Sequence, residues 1–281
     1  MSQKYVRRTV VTDIKGFLKK KVKLIFHQHG RLLRKKWYHI LFLKLAKNEV
    51  DLFIAVSKAI STKLKKESKI SKEKIKLFYN AINFKYFKYF KDNENKKVQK
   101  LRKKFNIKSN ELVIGFMGSL NENKGCHFLI KALSCLRLEF KALIIGSGNQ
   151  EKKLKKMVKK LNLNSKVIFC GYQKERKIYL ALFDILVIPS IYESFGITAL
   201  EGQANKVPVI ASNTGGLSEI LKDKQNSLFF QTKNHLQLVE KIKKLHKNKK
   251  LRKKLILHGL KNIKKYNLSK YLNKLNKIYN E

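Results

Sequence analysis

The chain has 281 residues, 43% of them hydrophobic, which is enough for two modest domains or one large one with a real core. Lysine and arginine number 65 against 19 acidic residues, a formal charge of +46. The three cysteines contain no CxxC, which argues against a disulfide framework and a zinc site, and no metal is expected.

The charge alone admits nucleic acid, an anionic lipid surface, or lysine-rich compositional drift. Lysines are spread over nearly every predicted helix and proline is almost absent, which suits drift as well as a ligand. Aromatic residues do not interleave with the basic runs as in an RNA module, so nucleic acid is the least expected partner. The first residues, MSQKYVRRTVVTD, lack the apolar core of a secretory signal. The stretch Trp37–Leu45 is too short to span a bilayer. The expected location is the cytoplasm, with the inner face of the membrane as a docking surface.

In chain order, residues 1–20 read as a weak helix or arm. Val22–Gly30 is a strand running into His29-Gly30, and Arg31–Lys47 carries apolar residues near helical spacing. Asp51–Ser57 is a buried strand, with Ser57 placed to cap a helix over Lys58–Glu67. Ile75–Tyr79 is a third strand, followed by the turn Asn80-Ala81-Ile82-Asn83. Residues 84–104 are polar and charged, and a linker is expected at 91–104.

Leu112–Gly118 is a buried strand, Ser119–Gly125 a loop, and Cys126–Leu136 a helix. A strand–Gly–helix unit of this kind cradles phosphate, with Lys124 as a positive charge near the helix start. Strand Phe140–Ile145 closes in Gly146-Ser147-Gly148 before a helix from Gln150 to Leu161. Strand Lys166–Tyr172 and a short helix, Arg176–Phe183, follow.

The most informative stretch is Ile185–Glu219, ILVIPSIYESFGITALEGQANKVPVIASNTGGLSE. It reads strand, loop, helix, strand, Gly-rich loop, helix, which implies a parallel sheet with ligands at the carboxyl ends of its strands. Glu193 precedes the helix starting at Ile197 and Glu201 lies within it, eight residues on. Between them the first backbone N–H groups, near Gly196, Ile197 and Thr198, have no intrahelical partners and form a natural anion site. Taken alone, the two carboxylates read as a helix cap and a solvated helix residue. After Glu219 come strand Ser227–Phe230, two lysine-rich helices to about Lys265, and a last helix over Leu268–Asn280.

The stretch from Pro189 to Glu219 resembles the E-x7-E region of glycosyltransferase family 4: Pro189, Ser190, Tyr192 to Gly196, Glu201, Gly202, Pro208 to Ala211, Gly215, Gly216 and Glu219. The resemblance implies an α/β protein of the GT-B fold with two Rossmann-like domains. It implies a retaining, metal-independent glycosyltransferase using a nucleotide-diphosphate sugar, expected to be UDP-linked, with a cell-envelope glycan or glycolipid as acceptor. Its implied domains are an acceptor-side domain at 1–90, the linker 91–104, a donor-binding domain at 105–265 and a C-terminal helix at 266–281 packing back on the first domain.

Carried over residue by residue, Glu193 and His29 are the implied catalytic residues. Gly118, Ser119, Lys124, Gly196, Ile197, Thr198, Glu201, Cys170 and Gly171 are the implied donor-binding ones. The family's phosphate loop has an arginine where this chain has Ser119, and its hinge phrase is softened to Asn80-Ala81-Ile82-Asn83. Only about twenty residues precede Val22, so the first domain is expected to lack its early βα units. A second chain that completes it, or a non-catalytic nucleotide-sugar-binding subunit, is therefore the alternative.

Overall fold

The computed structural model describes residues 23–29, 37–87 and 96–280. The expected arm at 1–20, the Gly30 turn, the beginning of the Arg31–Lys47 helix and residues 91–95 of the linker lie outside them. The chain divides into two compact units, one ending at Tyr79 and one beginning at Asn80.

In the first unit, β1 (Ile25–Gln28), β2 (Leu52–Ala55) and β3 (Ile75–Leu77) pair in parallel in the order β1-β2-β3. The central strand is the apolar one, and Phe53, Ile54 and Ala55 are buried. Asp51 starts it by accepting a 2.7 Å hydrogen bond from the Leu24 N–H. Helices α1 (Trp37–Ala46) and α2 (Lys58–Ser68) connect the strands. Ser57 caps α2 as expected, its hydroxyl accepting from the Ile60 N–H at 3.1 Å. Lys74 donates to the carbonyls of Lys47, Asn48 and Val50 at 2.8, 3.2 and 3.0 Å, in the turn that follows α1.

The second unit holds a six-stranded parallel sheet in the order β6-β5-β4-β7-β8-β9. Its strands are β4 (Leu112–Met117), β5 (Phe140–Ile145), β6 (Val167–Gly171), β7 (Ile185–Ile188), β8 (Val209–Ser212) and β9 (Leu228–Phe230). All side chains of β4, β7 and β8 are buried, which is why these strands read as unbroken apolar runs. From β4 the chain builds outward through β5 and β6, then crosses back to β7 and builds the other way. The order therefore reverses between β4 and β7, and in sheets of this kind ligands bind at such a point, beyond the carboxyl ends of the strands. Helices Cys126–Ser134, Glu151–Lys160 and His235–Lys247 contribute to one core cluster with the sheet. Along Glu151–Lys160 only Leu154 and Val158, one turn apart, are buried, and six lysines face water.

Residues 96–104 are the described part of the expected linker. They form a helix, Lys96–Lys104, that buries Val98 and leads to Phe105, whose ring lies 6.4 Å from that of Tyr179. The apolar stripe is only Val98, Leu101 and Phe105, which the surrounding lysines obscure in the sequence. The hinge-like turn after β3 belongs with this unit, since the Ile82 N–H donates to the Tyr266 carbonyl at 3.0 Å. Asp184 is structural: its carboxylate accepts from the Val113 N–H at 2.9 Å, tying the start of β7 to β4.

Gly115, in mid-β4, faces the fully buried Phe183, and a Cβ there would lie 2.0 Å from the ring. Gly115→Ala is expected to destabilise the second unit by about 1–3 kcal/mol through overpacking. Urea unfolding followed by far-UV circular dichroism measures this, and an unchanged midpoint contradicts the packing argument.

Candidate functional site

The loops after β4 and β7 meet at the switch point through backbone contacts that only glycine allows. The β4 loop turns at Asn121, whose side chain accepts from the Lys124 N–H at 3.2 Å, and closes at Gly125 with φ of 64°. A Cβ on Gly125 would sit 1.9 Å from the Pro189 carbonyl oxygen. Beside that contact the Ile191 N–H donates to the Asn123 carbonyl at 2.7 Å. The consequence is that Lys124 reaches across from one loop to the other and donates to Glu193 Oε2 at 2.7 Å. The Ser190 hydroxyl donates to the same oxygen at 3.2 Å.

The Gly-rich loop after β8 fixes Glu193 from behind. The Gly216 N–H donates to the Glu193 carbonyl at 2.8 Å, and a Cβ on Gly215 would lie 2.2 Å from that carbonyl oxygen. Gly196, at φ of 105°, then starts the helix Ile197–Ala204. The helix thus begins four residues after Glu193.

Glu201 is buried, not solvated. Its Oε2 lies 2.5 Å from Arg176 Nη2 as an ion pair that is not aligned as a hydrogen bond. Burial holds this carboxyl above the ordinary glutamate value, and the Arg176 guanidinium opposes the rise. Arg176 also donates to the Thr198 hydroxyl at 3.2 Å and directs its Nε at the Met117 sulfur, 3.1 Å away. It thus bridges the carboxyl end of β4, the first turn of the Ile197 helix and the buried carboxylate. Sequence reasoning passed over Arg176, because one cation among 65 in a lysine-rich chain carries no signal of its own.

The remaining expected residues fall around the same sheet edge or in the other unit. Gly118 follows β4, and a Cβ there would meet only ordinary contacts; its carbonyl instead receives Gly146, whose Cβ would lie 1.8 Å away. Ser119 accepts from the Asn121 side-chain amide at 2.8 Å. Ile197 is partly exposed and Thr198 half-buried. Cys170 and Gly171 end β6, where the Gln173 amide donates to the Cys170 carbonyl at 2.5 Å. Gly171, at φ of 66°, has open space where a side chain would be. Burial pushes the Cys170 thiol up to about 11. His29 belongs to the first unit, its ring stacked 5.8 Å from His27, and burial lowers the pKa of both.

Residues 97–261 match the family described as glycosyl transferases group 1. The chain belongs to this family. Among curated relatives, the uncharacterized glycosyltransferase MJ1607 of Methanocaldococcus jannaschii is 34% identical over 186 residues, covering 64% of this chain and 47% of that protein. The O-antigen biosynthesis glycosyltransferase WclY of Escherichia coli is 30% identical over 156 residues, 56% of this chain and 43% of that protein. The chain thus spans about half the length of these relatives. Of solved structures, Anabaena HepE in complex with UDP and glucose superposes with a TM-score of 0.85 at 21% identity, covering 92% of this chain and 72% of HepE. The fold is of the GT-B type, α/β with Rossmann-like parallel sheets.

A carboxyl raised in the folded protein adds stability below its unfolded value, near 4.5, and loses it as pH rises through the folded value. The native chain's stability relative to Glu201→Gln should therefore fall as pH rises from about 4 to about 7. Paired calorimetric melts across that range check the sign, and the opposite slope contradicts it.

Proposed function

We propose that this chain is the donor-binding and catalytic part of a retaining, metal-independent family 4 glycosyltransferase that uses a nucleotide-diphosphate sugar, most simply UDP-linked. The observation that carries the reading is the Lys124–Glu193 pair at 2.7 Å beside the start of the Ile197 helix. It brings a phosphate-neutralising cation, an anion-binding helix end and a hydroxyl-accepting carboxylate together at the sheet's switch point.

In this reading Lys124 and the N–H groups of Ile197 and Thr198 hold the diphosphate, with Gly118 and Ser119 along its path. Glu201 accepts from the ribose hydroxyls, and the chain around Cys170 and Gly171 borders the base. Glu193 accepts from the sugar hydroxyls. As the glycosidic bond breaks, positive charge grows on the sugar and negative charge on the leaving diphosphate. The carboxylate stabilises the first, and Lys124 with the helix end stabilises the second. The acceptor hydroxyl attacks from the leaving-group side, so no residue is assigned as a covalent nucleophile. His29, in the first unit, keeps the catalytic role that the resemblance implies.

The acceptor is a cell-envelope glycan or glycolipid, in keeping with the O-antigen role in the name of the Escherichia coli relative. No helix among the described residues is long and apolar enough to cross a membrane. The lysine-rich helices would instead meet anionic lipid from one side. A second reading is a donor-binding subunit completed by a further chain. It is favoured by Ser119, which stands in the β4 loop where the family has an arginine.

Nucleotide release from UDP-, GDP- and ADP-sugars, measured on anionic liposomes carrying membrane glycolipids, tests both readings. Acceptor-dependent release is expected, lowered at least about a hundredfold in Glu193→Ala while nucleotide binding persists. Transfer retained by that variant removes Glu193 from its role. Binding without release supports the subunit reading.

Lys124→Ala is expected to weaken binding of the nucleoside diphosphate by about tenfold or more, since a charge-assisted contact to phosphate is lost. Isothermal calorimetry reads this directly, and unchanged affinity contradicts the assignment.

A further inference from the structure

Two ion pairs flank the start of the Ile197–Ala204 helix, and they differ in depth. Lys124 and Glu193 keep 29% and 13% of their side-chain surface exposed, while Arg176 keeps 33% against 6% for Glu201. Each carboxylate of the site therefore has its own cation, and both cations retain a solvent-facing side. Glu201 is the costly member, because a buried carboxylate needs a charge partner to stay ionised. Arg176 supplies that charge from a different element, the helix Arg176–Leu182 that follows β6.

Arg176 is also placed for something beyond this pair. It donates to the hydroxyl of Thr198, the second residue of the Ile197 helix, so its guanidinium lies against the turn whose N–H groups face outward. An anion seated on those groups comes within reach of a planar fork of donors suited to phosphate. On the β4 side the loop provides only Lys124, and Ser119 there is engaged with the Asn121 amide.

We propose that Arg176 is the second phosphate-binding cation of the donor site, and that donor entry makes it exchange partners. The guanidinium turns from Glu201 to the phosphate nearest the ribose, and the freed carboxylate accepts from the ribose hydroxyls. Ligand-free, two cations balance two carboxylates. With ligand bound, both cations face phosphate, and the carboxylates receive neutral hydroxyl donors. The chemistry selected is a diphosphate next to a vicinal diol, since neither half alone drives the exchange. This rests on the donor-site reading above.

The test compares the full chain with Arg176→Gln, Arg176→Lys and Arg176→Gln/Ser119→Arg. Calorimetric titration uses UDP, GDP and ADP, and the parent nucleoside of the best-bound one is titrated by NMR. Arg176→Gln is expected to weaken the diphosphate by about tenfold or more and the nucleoside by less than about threefold. Arg176→Lys should fall between, keeping the charge but losing the fork. The Ser119→Arg addition should restore part of the loss, because it returns a cation to the phosphate side. Equal losses for diphosphate and nucleoside, or no loss for either, overturn the assignment and leave Arg176 a structural partner of Glu201. A native chain that binds none of the three diphosphates overturns the donor-site reading itself, and this inference with it. Should Arg176→Gln not fold, the Arg176→Lys comparison decides by the same criterion.

Discussion

The site depends on backbone lying against backbone at the switch point between β4 and β7. Gly125 abuts the Pro189 carbonyl, Gly215 the Glu193 carbonyl, and Gly146 the Gly118 carbonyl, each at a distance that leaves no room for a Cβ. All three have positive φ, so the same residue type meets the conformational and the steric demand. Without these approaches the loops would stand a side chain's width apart, and Lys124 would not span from one to the other. The chemistry is carried by side chains, but their spacing is set by where side chains are missing.

Much of this was legible because the relevant signals are local. Unbroken apolar runs marked β4, β7 and β8, since a strand buried on both faces has no polar side to show. Ser57 announced its helix because a cap is a one-residue event. Glu193, Gly196 and Glu201 stood out through the resemblance of their stretch to a known family pattern, since the two carboxylates alone read as a cap and a solvated residue. What escaped the sequence is what depends on distant partners. Arg176 and Glu201 are 25 residues apart and meet only because the crossover from β6 returns the chain beside β4. The Lys96–Lys104 helix was hidden for a related reason: its apolar stripe is three residues among lysines, and gains meaning only where Phe105 meets Tyr179.

The large positive charge separates into two kinds under the same constraint. Among the described residues most lysines sit on the outer faces of helices such as Glu151–Lys160, where they are solvated and screened and contribute little individually. Lys124 and Arg176 are partly buried at the sheet edge, each against a carboxylate, and there a charge acts at short range in a poorer dielectric. Net charge therefore says little about the site. Two of the 65 basic residues define it, and their burial identifies them, not their number.

The unequal depth of the two pairs fits a division of labour within the proposed reaction. Glu201, rigid inside its helix, suits a group that must recognise the same nucleotide fragment at every turnover. Glu193, on a loop and nearer to solvent, faces the part of the ligand that changes during the reaction. Its partner Lys124 is a flexible point charge able to follow the departing phosphate, whereas the planar guanidinium of Arg176 is suited to one fixed geometry. Placing the mobile cation beside the shallow carboxylate and the forked one beside the deep carboxylate lets binding and bond-breaking be tuned separately on one helix end.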